Sequence, residues 1–260
     1  MAALISLPGR ALAHAGRTAI LAREGAFTYR DLIEGSARVA GRLLGDAEDL
    51  AETRVALLAP PSYHHVAAQW GVWRAGGVVV PLGVTHPEPE LAHAVQDSGA
   101  AVVLAHPELA GPARAIASPA GVRLLTTEEA LAAAPLRPLP DLAPGRRAMI
   151  VYTSGTTGRP KGVVTTHANL QAQLNSLETA WGWTADDRIL LVLPLHHIHG
   201  IVNVLTSALW SGACCEMHSR FEAEAVWSRI AAGGLTLFMA VPTTYTRLIQ
   251  SWEAAPAIEA

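Results

Sequence analysis

Residues 146–170 read RRAMIVYTSGTTGRPKGVVTTHANL. The stretch begins as an apolar run of strand type, Ala148–Val151, and ends where Ala168–Trp183 takes on the spacing of a helix. Between them lies a run of hydroxyls and glycines, closed by one lysine. Backbone N–H groups around Gly155 and Gly158 can form a nest for an anion. Thr153, Ser154, Thr156 and Thr157 add hydroxyl donors, and Lys161 adds a movable positive charge. A polyphosphate tail suits that set. The spacing is not the G-x-x-x-x-G-K-[ST] of a Walker loop. The plain alternative is a Ser/Thr/Gly connector with no ligand, and the length of the ordered string weighs against it.

Working outward, short apolar runs alternate with helical segments on both sides. Upstream, RVALLAP (54–60), GVVVPL (77–82) and AAVVLA (100–105) read as strands, separated by helices over 62–76 and 88–99. Nearer the N-terminus, Thr28 is placed to cap a helix with Asp31 three residues on, and Leu32, Ile33, Ala37, Ala40 and Leu44 recur near helical spacing. Downstream, strands are expected at 188–195, 213–218 and 235–242, with helices at 201–212, 222–234 and 243–254. This alternation predicts an α/β fold of layered, mostly parallel sheets flanked by helices. Between the two series, Pro112, Pro119, Pro135, Pro138, Pro140 and Pro144 punctuate Ala-rich pieces. The expected organisation is a first α/β sub-domain at 1–109, a Pro/Ala-rich connection at 110–146, and a second sub-domain at 147–260 that carries the loop.

Composition narrows the function. Nineteen Lys and Arg against 22 Asp and Glu give a net charge of −3, and no run of like charges occurs, which argues against a nucleic-acid partner. Cys214 and Cys215 are adjacent and alone, a pattern of a reducing compartment without a disulfide framework. The first 20 residues, interrupted by Pro8-Gly9-Arg10, fit neither a signal peptide nor a transit peptide well. Residues 189–215 carry no Asp, Glu, Lys or Arg, but Pro194, His196, His197, His199, Gly200 and Asn203 interrupt them. A buried core is the better reading than a membrane span of about 20 apolar residues. Trp181, Trp183, Trp210 and Trp227 read as core packing.

YTSGTTGRPKGVVTTHANL (152–170) resembles, almost residue for residue, the signature of the adenylate-forming superfamily, which includes acyl-CoA synthetases, peptide-synthetase adenylation domains and luciferases. LPLHHIHG (193–200), MAVPTTYTRLI (239–249), FTYRDL (27–32), VAAQWGVWRAGGVVVPL (66–82) and LAHAVQDSGAAVVLA (91–105) continue the likeness over nearly the whole chain. Within the superfamily, LPLHHIHGIVN and VPTTYTRL are most similar to the malonyl-CoA and methylmalonyl-CoA synthetases.

The resemblance implies an acid–thiol ligase, using ATP, Mg²⁺ and CoA. A small carboxylic acid attacks the α-phosphate of ATP, and CoA then displaces AMP. It implies that Thr153, Ser154, Gly155, Thr156, Thr157, Gly158 and Lys161 hold the β- and γ-phosphates, with Arg159 and Pro160 shaping the turn. It implies that His197 lines the acyl pocket and the CoA approach. His199 is a candidate partner for a second substrate carboxylate, and so is Arg247, whose guanidinium can grip a carboxylate in two places. Core or helix-capping roles are the plain alternatives for these residues. A zinc site on His196, His197 and His199 lacks a cysteine or carboxylate at suitable spacing. The family is about twice as long as this chain, and its adenine, ribose and adenylation-lysine positions have no counterpart here. The expectation is therefore the N-terminal half of an acyl-CoA synthetase for malonate or methylmalonate, inactive alone. The alternatives are a non-catalytic chain with weak nucleotide binding, or an adenylating enzyme for a fatty or aryl acid. The expected address is the cytoplasm, or the mitochondrial matrix in a eukaryote.

Overall fold

The computed structural model describes residues 7–135, 138–153 and 159–254. The chain opens with helix α1 (Leu7–Ala13), the hairpin β1 (Thr18–Ala22) and β2 (Gly25–Thr28), and the long helix α2 (Tyr29–Leu44). Then β3 (Arg54–Leu58), α3 (Tyr63–Arg74), β4 (Val78–Pro81), α4 (Glu88–Ser98) and β5 (Val102–Ala105) alternate. The segment α5 (Ala110–Ala117), β6 (Arg123–Thr126) and α6 (Thr127–Leu131) follows. Next come β7 (Arg147–Thr153), β8 (Lys161–Thr166), α7 (His167–Trp181) and β9 (Arg188–Leu191). A π-helix (His199–Thr206) runs into α8 (Ser207–Trp210), and β10 (Cys214–Met217), α9 (Ala223–Ala231), β11 (Leu237–Phe238) and α10 (Pro242–Ala254) complete the order.

Among the described residues these strands form two sheets, ordered β11-β9-β10-β1-β2 and β6-β5-β3-β4-β7-β8. All pairings are parallel except the two hairpins, β1–β2 and β7–β8, each of which closes one edge of its sheet. The α/β expectation is thus borne out, with helices packed against mostly parallel strands.

Side-chain alternation along the strands sorts the interior into layers. Val55 and Leu57 of β3 and Ile189 and Leu191 of β9 point into one shared core, filled by residues of α2, α3, α7 and α8. The alternate residues Ala56 and Leu58 face the opposite way, onto a second core with α4 and α5. Leu190 and Val192 face a third core with α9 and α10. Parallel strands covered on both faces read as continuous apolar runs, which explains RVALL and RILL.

Helix α2 follows its expected pattern. Thr28 and Asp31 make a reciprocal capping box, and Leu32, Ile33, Ala37, Ala40 and Leu44 are buried. Helix α3 is buried nearly all round, from His65 to Trp73. Of the four tryptophans expected in the core, Trp183 and Trp210 are buried and Trp227 is half-buried, its Nε1 donating to the Leu248 carbonyl. Trp181, the last residue of α7, is exposed.

Strand pairing runs across the expected sub-domain boundaries. β1 and β2 pair into the sheet of β9–β11, while β7 and β8 pair into the sheet of β3–β6. The Pro/Ala-rich segment supplies β6, the edge strand next to β5. Its prolines lie outside that strand, so they leave the ladder hydrogen bonds intact. The strand expected over 235–242 shrinks to Leu237–Phe238, an edge partner of β9. Cys214 and Cys215 are both free thiols on β10. No described helix is long and apolar enough to cross a membrane.

Candidate functional site

The opening loop joins two antiparallel strands. Thr153 pairs with Lys161 and Tyr152 with Gly162, so the loop hangs from the end of a β-hairpin and the helix begins only after β8. The sequence pattern marks no separate element between the loop and the helix at Ala168–Trp183. The Val163-Val164-Thr165-Thr166 run, rich in β-branched residues, was the available strand signal. Thr166 then caps α7 through a capping box with Asn169. Thr153 and Lys161 are exposed and face each other at the loop's base. Ser154, Gly155, Thr156, Thr157 and Gly158 lie outside the described residues.

The hairpin is anchored sideways to α4. Tyr152 Oη donates to Asp97 Oδ2 at 2.7 Å, and His93 Nε2 lies 3.1 Å from the Pro160 carbonyl oxygen. Burial, followed by the Asp97 carboxylate, raises the Tyr152 phenol well above its ordinary pKa, so it stays protonated as a donor.

Beside the hairpin, a cavity of about 170 Å³ is lined by Leu82, His86, Glu90, Thr153, His196 and His197, among others. A second, of about 300 Å³, shares Leu82 and His196 with it and extends to Phe221 and Arg247. The walls come from residues just past the carboxyl ends of β3, β4, β9 and β10, with Thr153 closing β7. Parallel α/β sheets place their ligands at such ends.

Three histidines meet at the junction. The His86 and His196 rings are 4.5 Å apart and the His196 and His197 rings 4.1 Å. His86 Nδ1 lies 3.5 Å from Glu90 Oε2. Burial, then the neighbouring His197, His86 and His65, lowers His196 to about 4. Burial, then His86, lowers His197. His196 is therefore a neutral imidazole at neutral pH, able to donate or accept a hydrogen bond but not a fixed charge. The sequence singles out His197 but neither His86, whose ring packs on His196, nor Glu90 beside it, which come from a distant loop and helix with no motif of their own.

The backbone that presents these histidines is held by Gly200. A Cβ at that position would collide with the Pro194 carbonyl. The segment expected as one α-helix starts instead as a π-helix. Thr206 Oγ1 and Ser207 Oγ donate to the carbonyls of Ile201 and Val202, each five residues back, at 2.6 and 3.2 Å. Short π segments recur at functional sites. His199 opens that helix, half-buried, with a buried and unpartnered Nε2, and lines neither cavity. Arg247 is exposed on α10, its guanidinium 4.9 Å from the Phe221 ring centre. Among the described residues no group of three or more His, Cys, Asp or Glu has the geometry to hold a metal ion.

A family model described as "AMP-binding enzyme" matches residues 8–259. The human malonate–CoA ligase ACSF3, mitochondrial, is 41% identical over 257 residues, covering 94% of this chain and 45% of that protein. ATP-bound MatB from Rhodopseudomonas palustris superposes with a TM-score of 0.85 at 28% identity, covering 95% of this chain and 51% of the other. The inhibitor-bound N-terminal domain of FACL13 from Mycobacterium tuberculosis gives 0.86 at 27% identity, covering 96% and 65%. The chain spans about half the length of the curated relatives it matches.

Proposed function

This chain belongs to the AMP-binding enzyme family, and on that premise we propose that it forms the N-terminal part of an ATP-dependent acyl-CoA synthetase acting on malonate. The carrying observation is a pair of adjoining cavities that share Leu82 and His196 at the carboxyl ends of parallel strands. One reaches Thr153 and Pro160 at the base of the hairpin loop past His86 and His197, and the other reaches Arg247. In this reading Thr153, the loop hydroxyls and N–H groups, and Lys161 hold the β- and γ-phosphates of ATP. His197 lines the acyl pocket and the CoA approach, and Arg247 at the far end meets the second carboxylate of the acid. His199 takes part only by turning its buried imidazole toward the cleft.

ATP brings the reaction's electrophile, and Mg²⁺ arrives as its phosphate complex. No described carboxylate or histidine cluster supplies a resident metal site. The chain's own contribution is positioning. The loop fixes the phosphate tail so that the acid's carboxylate lies in line with the α-phosphate, and the neutral, half-buried His196 offers a hydrogen bond without a competing charge. The mitochondrial name of the human ligase supports a matrix address in a eukaryotic source.

The test has two parts. ATP binding to the 260-residue chain is expected to weaken by about ten- to a hundredfold in Lys161→Ala, the range for a lost charge-assisted contact. Unchanged affinity would remove Lys161 from the site. Turnover is then compared on malonate, methylmalonate, acetate and octanoate, for the chain alone and joined to the C-terminal half of a malonate–CoA ligase. The joined protein is expected to prefer malonate and methylmalonate to acetate and octanoate, because the donors meant for a second carboxylate stay unpaired with the monocarboxylates. The chain alone is expected to be inactive. A preference for octanoate would overturn the malonate assignment.

A further inference from the structure

Helix α4 does more than cover a sheet. His93 and Asp97 stand one turn apart on α4, flanking its buried Leu91, Ala94 and Val95. Each reaches one stem of the β7–β8 hairpin. Asp97 accepts from Tyr152 on the strand entering the loop, and His93 contacts the Pro160 carbonyl on the segment leaving it. The His93 and Tyr152 rings also meet edge to face, 6.0 Å apart at 78°. Across the hairpin from Tyr152 stands Gly162, where a Cβ would lie 2.8 Å from Ile150 Cγ2 and 3.3 Å from the Tyr152 ring. The missing side chain leaves room for the tyrosine ring.

These contacts matter because of where the hairpin sits. Among the described residues β8 is the outermost strand of its sheet and pairs with β7 alone. A loop hung from an edge hairpin has no neighbouring strand to hold its exit. Binding a polyphosphate through backbone N–H groups needs a fixed geometry, and ordering a loop at the moment of binding costs affinity.

We propose that His93 and Asp97 are positioning residues, which clamp the two stems of the Thr153–Lys161 loop to α4 and so set the affinity for the phosphate tail of ATP. The proposal rests on the reading of that loop as the phosphate-binding segment. The clamp acts through Tyr152 and the Pro160 carbonyl, and neither His93 nor Asp97 touches the nucleotide. Tyr152→Phe removes one donor. Asp97→Ala removes its acceptor, whereas Asp97→Asn keeps an acceptor oxygen, and His93→Gln keeps an N–H donor where His93→Ala keeps none.

Binding of ATP, AMP and inorganic tripolyphosphate to the 260-residue chain is measured by calorimetry for the unaltered protein and each variant. Amide exchange across residues 150–164 is followed alongside, with the thermal midpoint as a control on folding. Tyr152→Phe, Asp97→Ala and His93→Ala are expected to weaken ATP and tripolyphosphate by about three- to tenfold, to leave AMP unchanged, and to speed exchange in the hairpin. Asp97→Asn and His93→Gln are expected to recover most of the loss. Tyr152→Phe combined with Asp97→Ala is expected to be no worse than either alone, since both remove the same bond. Equal losses for ATP and AMP, unchanged exchange, or unchanged ATP affinity in the alanine variants would each overturn the clamp while leaving the phosphate loop intact. An unaltered chain that binds neither ATP nor tripolyphosphate would overturn the loop reading, and the clamp with it.

Discussion

Gly200 shows how one missing methyl group shapes the site. A Cβ there would collide with the carbonyl of Pro194, at the start of the turn that carries His196 and His197. Any larger residue must push backbone, not the end of a flexible side chain. Gly200→Ala is therefore expected to destabilise the fold by about 1–3 kcal/mol, the usual cost of overpacking. It is also expected to disturb the 4.1 Å packing of the two histidine rings. Denaturant unfolding checks the first, and the histidine ring signals in an NMR spectrum check the second. An Ala variant as stable as the parent, with unmoved ring signals, would show that the turn yields freely. A glycine closing HHIHG is visible in the sequence, but its reason is not. The carbonyl it accommodates is brought there by the fold of the turn.

Helix α10 carries two faces. Thr244 and Leu248, four residues apart, are buried against the third core. Tyr245 and Ile249, also four apart, are exposed, and Val241 just before the helix extends the stripe, with Ile249 56% accessible. The two-residue edge strand β11 leads into this helix. Contiguous apolar surface next to an open strand edge promotes self-association. Ile249→Lys is expected to reduce concentration-dependent light scattering while leaving the thermal midpoint within a degree or two, because the side chain packs on nothing buried. Scattering unchanged by the substitution would place the sticky surface elsewhere, with the exposed Val163 and Val164 of β8 as the next candidates. The helix itself was legible from spacing. Which of its two apolar faces is covered was not, since both repeat at the same interval.

Stability should depend on pH through buried histidines on separate elements. Burial lowers His65, His167 and His196 to about 4. In the unfolded chain each binds a proton near pH 6.5. Between those values the unfolded state holds more protons, so stability is full above about pH 6.5 and falls as pH drops toward 4. For the fully buried His65 the loss is on the order of 3 kcal/mol. The carboxylates held low by arginines, Asp49, Glu52 and Glu216, lose their contribution only at still lower pH. Urea unfolding at pH 7.5, 6, 5 and 4.5 is expected to give a steady decline, shallower in His167→Gln. A flat profile from pH 7 to 5 would mean that these histidines charge freely in the folded protein.

Local pattern sufficed for the α/β alternation, the capping of α2 by Thr28 and Asp31, and the hydroxyl–glycine–lysine string of the loop. Each rests on residues within a few positions of one another, where propensity and periodicity act directly. The remainder depends on pairing between distant segments, which no local period encodes. β1 and β2 cross over to join β9 and β10, His86 comes to rest against His196, and Lys161–Thr166 becomes a strand because β7 offers it an edge. The loop's residues can be read from the chain, but its place at the tip of an edge hairpin, braced by α4, follows from burying both faces of two parallel sheets around one shared core.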